Sequence, residues 1–176
     1  DRWLTTTSLY RDHNWLWTCK GVGNLNGGRG FGWFSWKPFI LLDALSRVNE
    51  GDAVMFTDGD TYPIHDFTML YQECQRIGGL MFFAAQGCMN RQWCKRDCFI
   101  RMGLDEPKYH DSLHAVARFM LFQKGAKGTT EFLQEWLHYC LDRQATTFDP
   151  SELGPELEGF REHRTEQAIL TNLCTK

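Results

Sequence analysis

Two carboxylates separated by one glycine, Asp58-Gly59-Asp60, directly follow the short apolar run Ala53-Val54-Met55-Phe56. In open α/β sheets, ligands bind beyond the carboxyl ends of the strands. A strand over 53–56 would therefore deliver both acids to a binding position. Carboxylates spaced this way can face one hard divalent cation, and Gly59 removes side-chain bulk so that the turn can tighten. Mg2+ or Mn2+ favours oxygen ligands and leaves room for phosphate oxygens. The triplet is thus a candidate for a metal that bridges a nucleotide diphosphate. The competing reading is a solvated acidic turn.

Elements that would position such a site can be read on both sides of it. Pro38 fits the first turn of a helix, and Phe39, Leu41, Leu42, Ala44, Leu45 and Val48 give that helix an apolar face. Asn49-Glu50-Gly51 stops it. The run at 53–56 then reads as a buried strand. Asp66 is expected to cap a second helix that runs through Ile77 and ends at Gly78-Gly79. Leu80-Met81-Phe82-Phe83 reads as the next buried strand. The segment 86–110 reads as loop-rich, with a short helix near 97–102, and 115–122 reads as a strand. Thr130 is expected to cap a long helix whose buried face carries Phe132, Leu133, Trp136, Leu137, Cys140 and Leu141. A loop over 146–162 precedes a final helix over 164–174. Near the start, Thr5-Thr6-Thr7 and Trp15-Leu16-Trp17-Thr18 read as strand pieces. The glycine-rich stretch from Gly21 to Gly32 reads as a mobile loop and not a phosphate-binding fingerprint, because no clear strand leads into it. Helices alternating with buried strands imply an α/β layered fold.

Composition narrows the classes. A chain of 176 residues, 43% hydrophobic and 23% charged, can build one globular domain. A net charge of -3 lacks the basic stripe that nucleic-acid phosphates require. No run of about 18 apolar residues is present, so no membrane span is expected. The chain opens Asp1-Arg2-Trp3 without an initiator Met or a signal peptide, so some N-terminal sequence is expected to be missing. Seven cysteines, an odd count, argue against a complete disulfide framework and for a reducing, cytosolic compartment. Cys88, Cys94 and Cys98 form C-x5-C-x3-C, which lacks the usual C-x2-C knuckle of zinc sites. Aromatics reach 14%, enough either to fill a core or to supply faces for sugars and bases.

Two enzyme classes place an acidic triplet after a strand. Phosphotransferases of the haloacid-dehalogenase type use D-x-D-x-[TV], with the first Asp as nucleophile. Here Tyr62 occupies the last position, and the motif arrives only after a helix. The second class is the GT-A glycosyltransferases, in which D-x-D holds the metal and the sugar nucleotide. Three further segments resemble a group of small GT-A transferases. They are Gly30-Phe31-Gly32-Trp33-Phe34-Ser35-Trp36-Lys37-Pro38, Trp93-Cys94-Lys95-Arg96-Asp97 and His163-Arg164-Thr165-Glu166-Gln167. Members of that group decorate bacterial surface polysaccharides and the glycoproteins of large DNA viruses of algae. The likeness is strongest to the capsid-glycosylating domains of the chlorella viruses and runs from about Gly28 to Leu173. It implies a single GT-A domain over residues 1–176, with a central mixed sheet flanked by helices. It also implies a nucleotide-sugar donor, UDP-linked by expectation, and a glycan or glycoprotein acceptor. The first strand of the GT-A fold is not evident in the sequence. His114 stands where related sequences often carry Gln.

Chemistry then suggests roles. A leaving nucleoside diphosphate gains negative charge, which a metal at Asp58 and Asp60 would stabilise. Lys37, Arg96 or Arg164 could add fixed positive charge, or be ordinary surface or helix-end cations. His163 is either a third metal ligand, a diphosphate donor or a plain polar residue before a helix. Asp97 could bind sugar hydroxyls or cap a helix. Glu166 could deprotonate the acceptor hydroxyl, stabilise charge at the sugar, or simply sit well in a first helical turn. Trp33, Trp36 and Trp93 could stack on sugar or base, or pack in the core. Lys95 and Gln167 lie in the resembling segments and join the substrate-binding candidates with Trp36, Lys37 and Asp58. The alternatives to glycosyl transfer are a metal-dependent phosphatase with Asp58 as nucleophile and a non-catalytic sugar-binding module.

Overall fold

Among the described residues, three strands form one sheet in the order β1-β3-β2: β1 (Ala53–Thr57), β2 (Leu80–Met89) and β3 (Leu113–Gln123). Both pairings are antiparallel. The chain is therefore mixed α/β, but among the described residues the sheet is antiparallel where a mixed sheet is expected. The computed structural model describes residues 12, 13, 15–18, 31–62 and 64–176. The run Thr5-Thr6-Thr7 and most of the glycine-rich stretch lie outside them.

Among the described residues, only β3 is a truly buried strand. It has a partner on each side, whereas β1 buries Phe56 alone and leaves Met55 37% exposed. A continuous apolar run thus marks a strand that is at the sheet edge among the described residues. β2 extends six residues beyond the expected Phe83, and its register against β3 breaks between Met81 and Phe83. Across that break β3 carries extra residues, and its inward side changes parity: Ala115 and Ala117, then Met120 and Phe122, all face the main core. A bulge of this kind bends a strand and re-aims its side chains.

The helices are α1 (Trp15–Thr18), α2 (Trp36–Arg47), α3 (Thr68–Arg76), α4 (Asn90–Trp93), α5 (Arg96–Arg101), α6 (Pro107–His110), α7 (Thr129–Cys140), α8 (Arg143–Thr146) and α9 (Thr165–Thr175). The residues 15–18, read as strand, are helical. Pro38 does sit in the first turn of α2. Asp66 accepts from the Thr68 backbone N–H (2.6 Å), as a capping residue would, though the assigned cap of α3 is Phe67. Thr130 lies inside α7, whose cap is Gly128. The segment 86–110, expected to be loop-rich with a short helix near 97–102, has that helix as α5 and also holds the end of β2 and the short helices α4 and α6. After α3, Gly78 and Gly79 both take positive φ. A Cβ on Gly79 would lie 2.2 Å from that of Ala126, so only glycine fits.

Helices α2, α7 and α9 cover one face of the sheet. Leu41 and Leu45, Leu133 and Trp136, and Ile169 and Leu170 meet Phe56, Met120 and Phe122 there. Helix α3 covers part of the other face through Cys74 against Met81 and Leu121. Cys94 and Cys98 lie in the main core, where the Asn172 amide points at both sulfurs (3.7 Å each). Among the described residues, no helix is long and apolar enough to cross a membrane.

Candidate functional site

The last β1–β3 rung fixes the first acid. The Asp58 backbone N–H donates to the Arg118 carbonyl (3.0 Å), and the Thr61 N–H closes the turn on the Asp58 carbonyl (3.0 Å). Asp58 is left at the sheet's end with its side chain 38% exposed, and Asp60 projects further, at 70%.

A cavity of about 230 Å3 opens beside Asp58. Its walls bring together Lys37, Asp58 and the segment from His163 to Gln167, which are far apart in sequence. Lys37 belongs to the first turn of α2, and helical side chains lean toward the helix N-terminus, which aims its ammonium at the cavity. Its Nζ lies 3.0 Å from Glu166 Oε1 and 3.8 Å from Asp58 Oδ1, and donates to the Ala117 carbonyl (3.2 Å) at the bulge of β3. The rings of Phe34 and Phe56 lie 4.8 and 5.3 Å from the same nitrogen. Glu166 is 3% exposed; burial pushes its carboxyl up, against the pull of Lys37 and the Thr165 hydroxyl, which donates to Oε2 (2.7 Å). The Trp136 indole N–H holds the Glu166 carbonyl (2.9 Å), and Gln167 Nε2 donates to the Ala115 carbonyl (2.7 Å).

Three non-glycine residues with positive φ gather here: Trp33 (55°), Phe34 (58°) and Thr165 (47°). A β-branched residue in that region is a genuine outlier, and strain of this sort costs on the order of 1–3 kcal/mol. Phe34 and Thr165 line the cavity. Trp33 is buried edge-on against Phe148, another wall residue (centroids 4.6 Å apart).

The side chains of Lys95, Arg96 and Asp97 do not line this cavity. Asp97 is fully buried, and its two oxygens accept from the backbone N–H groups of Leu153 (2.8 Å) and Glu152 (2.9 Å). That geometry makes it an anchor for the 149–153 loop, with no oxygen turned to the acidic triplet. Lys95 Nζ donates to the Asp149 carbonyl (3.0 Å), and burial pulls its ammonium below the usual range. The Arg96 guanidinium is spent on Asp105 (2.7 Å). The segment secures the loop that carries Phe148. Arg164 lines the cavity, pairs with Glu162 (2.7 Å) and lies 4.6 Å from the Trp93 ring centroid. Trp36 is half-buried between Phe34 and Phe56.

His163 touches the cavity with both ring nitrogens already engaged. Nδ1 accepts from the Lys95 N–H (3.2 Å), so Nε2 carries the proton and donates to the Ala145 carbonyl (2.9 Å). Neither nitrogen is left for a metal, which corrects the third-ligand reading. Burial and the nearby Lys95 push its pKa down to about 3. His114, buried between Asn90 and Thr171, is pushed down to about 4 by burial and by Arg164. From these follows an acid sensitivity. As pH drops through 6.5, the unfolded chain protonates both rings, while the folded chain does so only near 4 and 3. Stability is therefore present above 6.5 and lost as pH falls. Two such protons give a slope of up to about 2.7 kcal/mol per pH unit, twice that of one proton. Urea unfolding midpoints between pH 7 and 4 should show it, and His114→Gln should remove about half.

Arg118 belongs to the site and escapes the sequence reading. Its Nη2 reaches both oxygens of Asp60 (2.7 and 2.6 Å), and its Nε lies 3.8 Å from Asp58 Oδ2. The guanidinium lowers the Asp60 carboxyl below its usual range. One signal was available: a lone charge in the apolar strand Ala115-Val116-Ala117-Arg118-Phe119-Met120. One cation thus already answers both carboxylates, so the pair can be bridged by a single positive centre. Two carboxylates with open positions are a donor set that Mg2+ or Mn2+ takes when phosphate oxygens complete it. Among the described residues, no cluster of three or more His, Cys, Asp or Glu side chains could hold a metal by itself. Compared with known proteins, the chain matches no protein family, no curated protein and no solved structure.

Proposed function

We propose that the protein is a metal-dependent glycosyltransferase of the GT-A kind. It transfers a hexose from a nucleoside-diphosphate sugar, UDP-linked in this reading, to a hydroxyl of a glycan or glycoprotein. The observation that carries the proposal is convergence. Lys37, Asp58 and the His163–Gln167 stretch come from three segments that resemble transferase motifs, and they line one cavity. The mixed α/β chain with helices on both sheet faces is compatible with that fold.

Asp58 and Asp60 would hold Mg2+ or Mn2+, which supplies Lewis-acid neutralisation of the leaving diphosphate. Lys37 and Arg164 put fixed positive charge at the same cavity. Glu166 lies 3.0 Å from the Lys37 ammonium and is oriented by the Thr165 hydroxyl, so in its carboxylate form it can take the proton of the acceptor hydroxyl as a general base. Phe34 and Phe148 exclude water from one wall. An open groove bordered by Tyr62, Ile64, Phe83 and Phe119 adjoins Asp60 on the outer side and gives the acceptor a route in.

Calorimetry with UDP tests the reading. Binding in Mn2+ should be at least about tenfold tighter than in chelator, a difference of about 1.4 kcal/mol. A diphosphate carries more charge than Lys37, already committed to Glu166, can neutralise. Equal affinity in both conditions would remove the metal from the site.

A further inference from the structure

Arg118 holds the acidic turn in a way that no role above uses. Its one guanidinium contacts Asp60 at 2.6 Å and stands 3.8 Å from Asp58, the two acids assigned to the cation. It does so from the solvent side: the Arg118 side chain is 52% exposed and Asp60 70%. The backbone beneath is fixed by the Asp58 N–H to Arg118 carbonyl bond, so the contact is rebuilt whenever the side chain returns. An exposed ion pair is weak and screened by salt, and therefore exchangeable. On the other side, Lys37 stands 3.8 Å from Asp58 but is buried and tied to Glu166 and the Ala117 carbonyl, so it cannot leave.

We propose that Arg118 is an exchangeable counter-cation of the acidic pair. It neutralises Asp58 and Asp60 in the apo protein, competes with the divalent cation for them, and on giving way turns its guanidinium onto the donor's diphosphate. This rests on the reading of the pair as a metal site. The exchange keeps the turn from self-repulsion when empty. It also couples cation and diphosphate binding, because each creates the partner for a group that the other displaces. Arg118 acts on binding and positioning; it is not assigned a proton transfer.

The test uses two probes, Mn2+ alone and UDP in saturating Mn2+, on the whole chain, read by calorimetry and by Mn2+ electron paramagnetic resonance. Arg118→Gln keeps a polar side chain and removes the charge. It should tighten Mn2+ binding about three- to tenfold in low salt, with the gain shrinking as salt rises. In saturating Mn2+ it should weaken UDP about tenfold. Arg118→Lys should fall between the two proteins in both assays. Opposite signs are the signature, since loss of a merely structural ion pair would not tighten the metal. Unchanged or weaker Mn2+ binding by Arg118→Gln, with a normal wild-type titration, overturns the exchange. Unchanged UDP affinity overturns the hand-over to diphosphate. Absence of Mn2+ binding by wild type and variant alike refutes the metal site itself, a different outcome from either.

Discussion

Glu166→Gln should lower kcat by on the order of 10²-fold or more, within the range of general-base effects, with donor affinity nearly unchanged. The substitution keeps the shape of the side chain and the Thr165 contact, and removes the charge that a base needs. Stability alone cannot report the role. Glu166 is buried against Lys37 at 3.0 Å, and removing one partner of a buried pair costs about 3–5 kcal/mol when the other is left charged. A purely structural Glu166 would thus also give an unstable variant, so kinetics must be taken well below the melting temperature. The pH profile separates the cases. Burial raises the Glu166 carboxyl above its ordinary 4.5. Wild-type kcat should then fall on the acid side as that carboxylate takes a proton, and in Glu166→Gln that limb should be absent. A destabilised variant with full kcat and an unchanged profile would return Glu166 to the role of a structural partner for Lys37.

Elements were legible where a residue type dictates local geometry. Pro38 marks the start of α2, Gly78 and Gly79 mark the end of α3, and the triplet lies just after β1. What was missed depends on pairing. The apolar run 53–56 reads as buried because periodicity cannot report neighbours, and β1 proves to be an edge among the described residues. The break in β3 register is a relation between two strands, yet it carries the Ala117 carbonyl to Lys37 and Arg118 to the acids. Residue types suggested that Lys37, Asp58, Arg164 and Glu166 belong together, and they do line one cavity. Chemistry offered Asp97 to the sugar and the resembling segment offered Lys95 to the substrate, whereas both Asp97 oxygens accept from the 149–153 loop backbone and Lys95 Nζ donates to the Asp149 carbonyl. A buried charge with backbone partners and one with a ligand look alike in sequence.

Asp58→Ala and Asp60→Ala should each abolish transfer while leaving the fold intact. Two carboxylates brought together for a cation would repel each other if left alone, and removal of one would then raise the melting temperature. Arg118 and Lys37 already offset that repulsion, Arg118 at 2.6 Å from Asp60 and Lys37 at 3.8 Å from Asp58. Both acids are also at least 38% exposed. Their loss should therefore change stability by only about 0.5 kcal/mol in either direction, as for surface positions. The functional loss has no such compensation. Without one acid, the cation and the diphosphate it neutralises lose a ligand whose charge no neighbouring carboxylate supplies: Glu166 is tied to Lys37, and Asp97 to the loop backbone. UDP affinity in Mn2+ should fall to the level measured in chelator. Transfer assays beside thermal melts and calorimetry decide among the readings. Wild-type turnover in either variant would take the triplet out of the site. If Asp58→Ala alone is inactive and wild-type protein accumulates an acid-stable phosphoenzyme, Asp58 is a nucleophile and the phosphatase reading replaces glycosyl transfer.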